Sequence, residues 1–194
     1  MNVINAIKKR RSVRNYKSDE IPEEVLNKLL NAMRLAPSGK NRQPWKFIVV
    51  RDKAMKAKLA DACCGQKFIA AAPVVIVACG SEKEAAVRYY KDGRVIIAVG
   101  RDIEAEMENR SIDYESCLPV DVAIPLDHLT LAAVEAGLGT CWIGAFDEMK
   151  VKELLSVPDD MRIPIVMPIG YPVSWPNPKP RKPLEEIICH DKYS

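Results

Sequence analysis

Five positive charges crowd the seven positions from 8 to 14: Lys8, Lys9, Arg10, Arg11 and Arg14, with Ser12 among them. Arginine forks and a serine hydroxyl are donors that suit a phosphate. The same residues also read as a solvated helix end or a basic address signal. A second basic group, Lys179, Arg181 and Lys182, is stiffened by the prolines of "NPKPRKP". A stiff arm carrying cations suits a fixed target better than open solvent. The two clusters, at opposite ends of the chain, could meet on one anion. A third polar stretch, "APSGKNRQPW", sets Ser38, Asn41 and Gln43 among small residues and prolines. Its side chains donate hydrogen bonds, but its composition equally fits an ordinary helix-to-strand loop.

Other chemistries lack their residues. No G-x-G-x-x-G follows a strand, and there is neither a P-loop nor a G-x-S-x-G elbow. The two histidines, His128 and His190, have no partners at metal spacing, so no metal site is expected. Cys63 and Cys64 are adjacent rather than C-x-x-C, and read as semi-buried thiols at a helix end before a redox dithiol. All six cysteines are expected to be reduced, in a cytoplasm, since the first residues carry no export-length apolar core. Charged residues are 28% of the chain and net only +3, a balance that argues against a nucleic-acid or membrane-surface binder.

Length and a 48% hydrophobic content predict one domain over residues 1–194 with a sizeable core. Val3, Ile4 and Ile7 fall at helical spacing. "IPEEVLNKLLNAMRLAP" reads as a helix with Pro22 in its first turn and Pro37 beyond its end. "WKFIVV" reads as a strand, "DKAMKAKLADAC" as a short helix, and "PVVIVACG" as a strand buried on both faces. In residues 81–118, "RVIIAV" looks like a strand and "RDIEAEMENR" like a helix. "PLDHLTLAAVEAGLG" is an apolar helix, with Pro125 marking either its start or a kink. "TCWIG" is a short strand, and "DEMKVKELLSV" a helix capped by Asp147. "RIPIVMPIG" is a strand whose prolines suit a sheet edge. From Tyr171 the chain is Pro-rich and extended, a form that survives by wrapping over something, often a partner subunit. The pattern is α plus β around one mixed sheet.

In this order, "RRSVRNY", "APSGKNRQPWKF", "AAPVVIV", "AGLGTCWIGAF" and "KPRKPLEEI" resemble the FMN-dependent nitroreductase family over almost the whole chain. The resemblance implies an α+β nitroreductase-like fold: a central mixed, mainly antiparallel sheet flanked by helices, with an extended C-terminal arm. It implies a homodimer with FMN at the interface and NADH or NADPH as electron donor. Hydride would pass through FMN to a nitroaromatic, quinone or flavin-type acceptor by a ping-pong mechanism, with no catalytic side chain or metal. By resemblance, Arg10, Arg11, Ser12 and Arg14 hold the phosphate and ribityl chain, joined by Lys179 and Arg181. Pro37, Ser38, Gly39, Asn41 and Gln43 would lie along the flavin, contributed by the other subunit. Lys67 would stand near the pyrimidine end. Trp142, Ile143 and Gly144 would offer backbone contacts to the ring edge. Many members carry Asn near the position of Cys64, so flavin tuning or substrate choice is expected to differ. The alternatives are a specialised relative acting on flavin itself, on dehalogenation or on ring desaturation, and a small nucleic-acid-binding protein. The last is disfavoured by an aromatic content of only 6%.

Overall fold

The computed structural model describes residues 1–91, 94–98 and 114–193 of the chain. Its centre is β2 (Val74–Ser81), a β-branched run with all eight residues buried. Such a strand needs apolar cover on both faces. Along one edge it pairs antiparallel with β1 (Trp45–Val50), and along the other with β7 (Met161–Gly170). The two-residue β6 (Gly139–Thr140) completes the order β1-β2-β7-β6.

Alternate residues of β2 feed two cores. Val74, Ile76 and Ala78 face α2 (Glu23–Arg34) and α5 (Leu118–Glu135), packing with Leu26, Leu29, Met33, Leu126 and Leu129. Val75, Val77 and Cys79 face α3 (Lys53–Ala62) and α6 (Glu148–Leu155), with Leu59, Cys141 and Val151. Asp52 and Asp147 cap α3 and α6 by accepting from the N–H groups of Met55 and Lys150. A smaller antiparallel sheet, β4-β3-β5, is built from β3 (Val87–Lys91), β4 (Arg94–Ala98) and β5 (Tyr114–Ser116). The helical reading of residues 101–110 lies outside the described residues. Among the described residues no helix is long and apolar enough to cross a membrane.

Two sequence expectations need correction. The strand read as an edge is β7, which lies between β2 and β6. Val166 sends its N–H to Ile143, away from β2. Pro164 and Pro168, each two residues away, would point their missing N–H groups to that same side. There, among the described residues, β7 meets a two-residue strand and one isolated bridge, so the prolines cost the main ladder nothing. The second correction is the start of the apolar helix. It begins at Leu118, with Pro119 in the first turn, and Pro125 lies inside it. Burial of Leu118 and Val122 against the core outweighs the hydrogen bond that Pro125 cannot make.

Candidate functional site

The basic N-terminal stretch is fixed by α1 (Val3–Lys9) and by β6. Asn2 caps α1 through Asn5 N–H. At the other end Lys8 and Lys9 complement the helix dipole. Arg11 turns back and donates through Nη1 to the carbonyls of Lys8 and Arg10, 2.7 Å each. The chain then runs extended beside β6: Ser12 bridges Thr140 in parallel, and Val13 N–H donates to Thr140 O at 2.9 Å. Buried Tyr16 anchors this run, its hydroxyl donating to Val13 O at 2.7 Å. Burial, followed by the nearby Cys141, pushes the Tyr16 phenol well above the usual tyrosine range.

The same run receives the C-terminal arm. Lys17 N–H donates to Tyr171 O, Val173 N–H donates to Asn15 O, and Tyr16 bridges Pro172. Trp175 packs on Val13, Tyr16 and Ala72, and Lys9 Nζ lies 5.1 Å from the centre of its ring. The arm is thereby led back over α1. Between them opens a cavity of about 510 Å³ lined by Lys8, Arg10, Arg11, Ser12, Arg14, Asn177, Lys179 and Arg181, with Ile7, Pro176 and Pro178. The two basic clusters of the sequence thus share one cavity, and among the described residues no carboxylate lines it. Six cations facing one space repel one another unless an anion offsets them. Arg11 Nε is buried without a hydrogen-bond partner among the described residues. The donor set is that of an anion site, most simply a phosphate. Lys8 and Asn177 join it unforeseen, Lys8 because the helix ends only at Lys9 and so shares its last turn with the site.

The other sequence-predicted residues lie elsewhere. None of Pro37, Ser38, Gly39, Asn41 and Gln43 lines the basic cavity. They form the connection from α2 to β1, where Ser38 Oγ accepts from Gln43 N–H at 2.8 Å and Gly39 N–H donates to Asp121 Oδ1 at 2.9 Å. Trp142 is half-buried at an apolar surface with Pro119, Val120, Ala123, Ile124 and His128. Ile143 spends its N–H on Val166 O at 2.9 Å and accepts from Val166 N–H, so its backbone is committed to the sheet. Gly144, next to it, is exposed with open space beside its Cα. Lys67 is exposed in the turn before α4 (Phe68–Ala71). That turn is held beside the 142–145 segment by Cys64 Sγ on Ala145 O (3.7 Å) and Asp147 N–H on Ala62 O. Cys63 has no exposed surface, and burial pushes its thiol up to about 12, which suits a core residue and not half of a redox dithiol.

The profile of the nitroreductase family matches residues 7–171. An NADH dehydrogenase of Thermus thermophilus is 33% identical over 190 residues, 93% of this chain and 91% of that protein. An FMN reductase [NAD(P)H] of Bacillus subtilis is 31% identical over 195 residues, 98% of this chain and 74% of its own length. Among solved structures, an FMN-dependent nitroreductase of Clostridium difficile superposes with a TM-score of 0.73 at 27% identity, covering 98% of this chain and 99% of that one.

Proposed function

This chain belongs to the nitroreductase family, and from that premise we propose that it is an FMN-dependent oxidoreductase. It would carry hydride from NADH or NADPH to a nitroaromatic, quinone or flavin-type acceptor. One observation carries the reading: the N-terminal and C-terminal basic clusters line a single cavity in which, among the described residues, no carboxylate stands. FMN ends in a phosphate monoester, and the arginine forks, the Ser12 hydroxyl and Arg11 Nε, which has no partner among the described residues, are the donors such a group takes. The relatives' names, an FMN reductase and an FMN-dependent nitroreductase, support the same cofactor.

In this reading Arg10, Arg11, Ser12, Arg14, Lys179 and Arg181 bind the phosphate end and neutralise it. Lys67 and the exposed Gly144, on two turns tied together at Cys64 and Ala145, serve the ring edge, with Trp142 and Ile143 shaping it from behind. Pro37, Ser38, Gly39, Asn41 and Gln43 reach a ring held by a second copy. FMN, when bound, would supply the hydride-transfer chemistry between nicotinamide and acceptor. The residues of the chain orient the partners and keep positive charge where negative charge builds on the ring.

A homodimer fits three exposed apolar surfaces: Val3, Ile4 and Ile7 on α1, Val120 and its neighbours on α5, and Leu184, Ile187 and Ile188 on the arm. Residues 1–194 would form one domain of each subunit. A reducing cytoplasm suits the buried thiols of Cys63, Cys79 and Cys141. The test is release and chromatography of the cofactor from untagged protein. FMN as the main species supports the reading. FAD as the main species overturns the choice of cofactor, and a colourless protein that cannot be reconstituted with FMN overturns the function.

A further inference from the structure

Asp121 stands in the first turn of α5 and is only 3% exposed. Its Oδ1 accepts the Gly39 N–H at 2.9 Å, and its Oδ2 is buried with no donor among the described residues. Burying a carboxylate with one oxygen unserved is costly, and the N-terminal end of α5 offsets part of that cost. What the carboxylate holds is a strained loop. Lys40, Asn41 and Gln43 all have left-handed backbones, with φ of 48°, 56° and 52°, although none is glycine. L-residues adopt that region reluctantly, so several in one loop persist only where the surroundings over-determine them. Within the loop, Asn41 N–H donates to Ser38 O, Arg42 N–H to Gly39 O and Gln43 N–H to Ser38 Oγ. Asp121 ties this self-bonded unit to a buried helix. Gly39 fits between Asp121 and Ala86: a Cβ there would stand 3.0 Å from Ala86 Cβ and 3.8 Å from Asp121 Oδ1.

We infer that Asp121 is the positioning residue for the loop that carries Ser38, Asn41 and Gln43, acting through the Gly39 N–H. The inference extends the FMN reading, in which those three side chains meet the flavin. A side chain 82 positions away on α5 would then decide how the amides of Asn41 and Gln43 are presented.

The loop itself offers a readout that needs no cofactor. Lys40 and Arg42 are exposed, and trypsin cuts after both when the loop opens. In flavin-free protein, Asp121→Ala should speed cleavage at these two sites on the order of tenfold, as expected when one charge-assisted hydrogen bond leaves a local opening equilibrium. Asp121→Asn keeps an acceptor at Oδ1 and should restore most of the protection. Gly39→Ala should be cut quickly with Asp121 intact, and it keeps the test decisive if Asp121→Ala fails to fold. In protein reconstituted with FMN, Asp121→Ala should shift the visible flavin bands and lower kcat more than it raises KM, and Asp121→Asn should reverse both. Unchanged cleavage in both Asp121→Ala and Gly39→Ala would overturn the inference. So would faster cleavage throughout the chain rather than at Lys40 and Arg42, or an Asn variant no better than Ala. If the cleavage pattern appears as expected but the wild-type protein binds no FMN, the clamp stands and the FMN reading falls.

Discussion

Val13 lies so close over Gly139 that a Cβ on the glycine would stand 2.7 Å from Val13 Cβ, and nearer still to Val13 Cγ2. This contact seats the basic run on β6, where Val13 N–H reaches Thr140 O. Gly139→Ala must therefore push residues 10–14 off the sheet. The overpacking is expected to cost about 1–3 kcal/mol, read from urea unfolding. FMN affinity should fall with it, because Arg10, Arg11 and Arg14 move together. Adding Val13→Ala should recover part of the loss. A double-mutant cycle with no coupling would show that the contact does not set the register.

The cavity separates the five clustered cations by role. Arg10 and Arg14 line it, whereas Lys9 lies over Trp175. Arg10→Ala or Arg14→Ala should weaken FMN binding by about 1.5–3 kcal/mol for each charged hydrogen bond lost. Lys9→Ala should change it little. Riboflavin, which lacks the phosphate, should bind all three variants about equally poorly. Titration of flavin fluorescence checks this, and equal losses of FMN affinity in all three would point instead to a diffuse basic surface.

Much of this was legible in the sequence because it is local. Charge clusters, a β-branched run and a capping residue such as Asp147 declare themselves within a few positions. The meeting of residues 10–14 with 179–181 was readable only as a possibility, since the pairing of Tyr171 and Val173 with Lys17 and Asn15 is tertiary. Proline signals misled where the sheet supplied an unusual setting. Pro164 and Pro168 lie in an inner strand because its outer neighbour is almost absent, and Pro125 lies within α5 because the apolar face continues back to Leu118. Asp121 gave no sequence signal, since an acid in a first helical turn is ordinary until its burial and its Gly39 partner are seen.

The thiols should divide by burial. Burial pushes Cys63 up to about 12 and Cys79 to about 11, and raises Cys141 as well. Cys64 and Cys189 are exposed. At pH 8 a thiol-reactive disulfide reagent should label Cys64 early, and reach Cys63, Cys79 and Cys141 only on denaturation. Because the turn of Cys64 touches Ala145, beside the proposed ring edge, added FMN should slow labelling at Cys64. Peptide mapping after timed quenching reads each site. An unchanged Cys64 rate would place the ring elsewhere.

Glu148 should contribute to acid sensitivity. Burial works to raise its pKa, but three hydrogen bonds from the Arg162 guanidinium and the Ile163 N–H at 2.8 Å outweigh it and hold the carboxyl below its ordinary value. A depressed folded pKa gives stability that is present above the unfolded value, about 4.3, and is lost as pH falls through the folded one. Glu148→Gln should therefore lower the urea midpoint at pH 7, and the gap from wild type should narrow toward pH 3. A gap that stays constant with pH would remove this group from the acid response.

Donor and acceptor should take turns on one flavin. The chain has no dinucleotide fingerprint, yet a nicotinamide donor belongs to the proposed function. The phosphate-type donors that the structure gathers into one cavity are assigned here to FMN. The nicotinamide must then approach the exposed face of the flavin itself, in the space that the acceptor later uses. Donor and acceptor exclude each other there. The oxidised nicotinamide must leave before the acceptor enters, so initial-rate plots at several acceptor concentrations should give parallel double-reciprocal lines. Each substrate in excess should inhibit by occupying the form of the enzyme meant for the other. Under anaerobic conditions NAD(P)H alone should bleach the yellow colour with no acceptor present. Intersecting lines, or donor and acceptor analogues bound together on one flavin, would reveal a separate nucleotide site and overturn the shared-face mechanism.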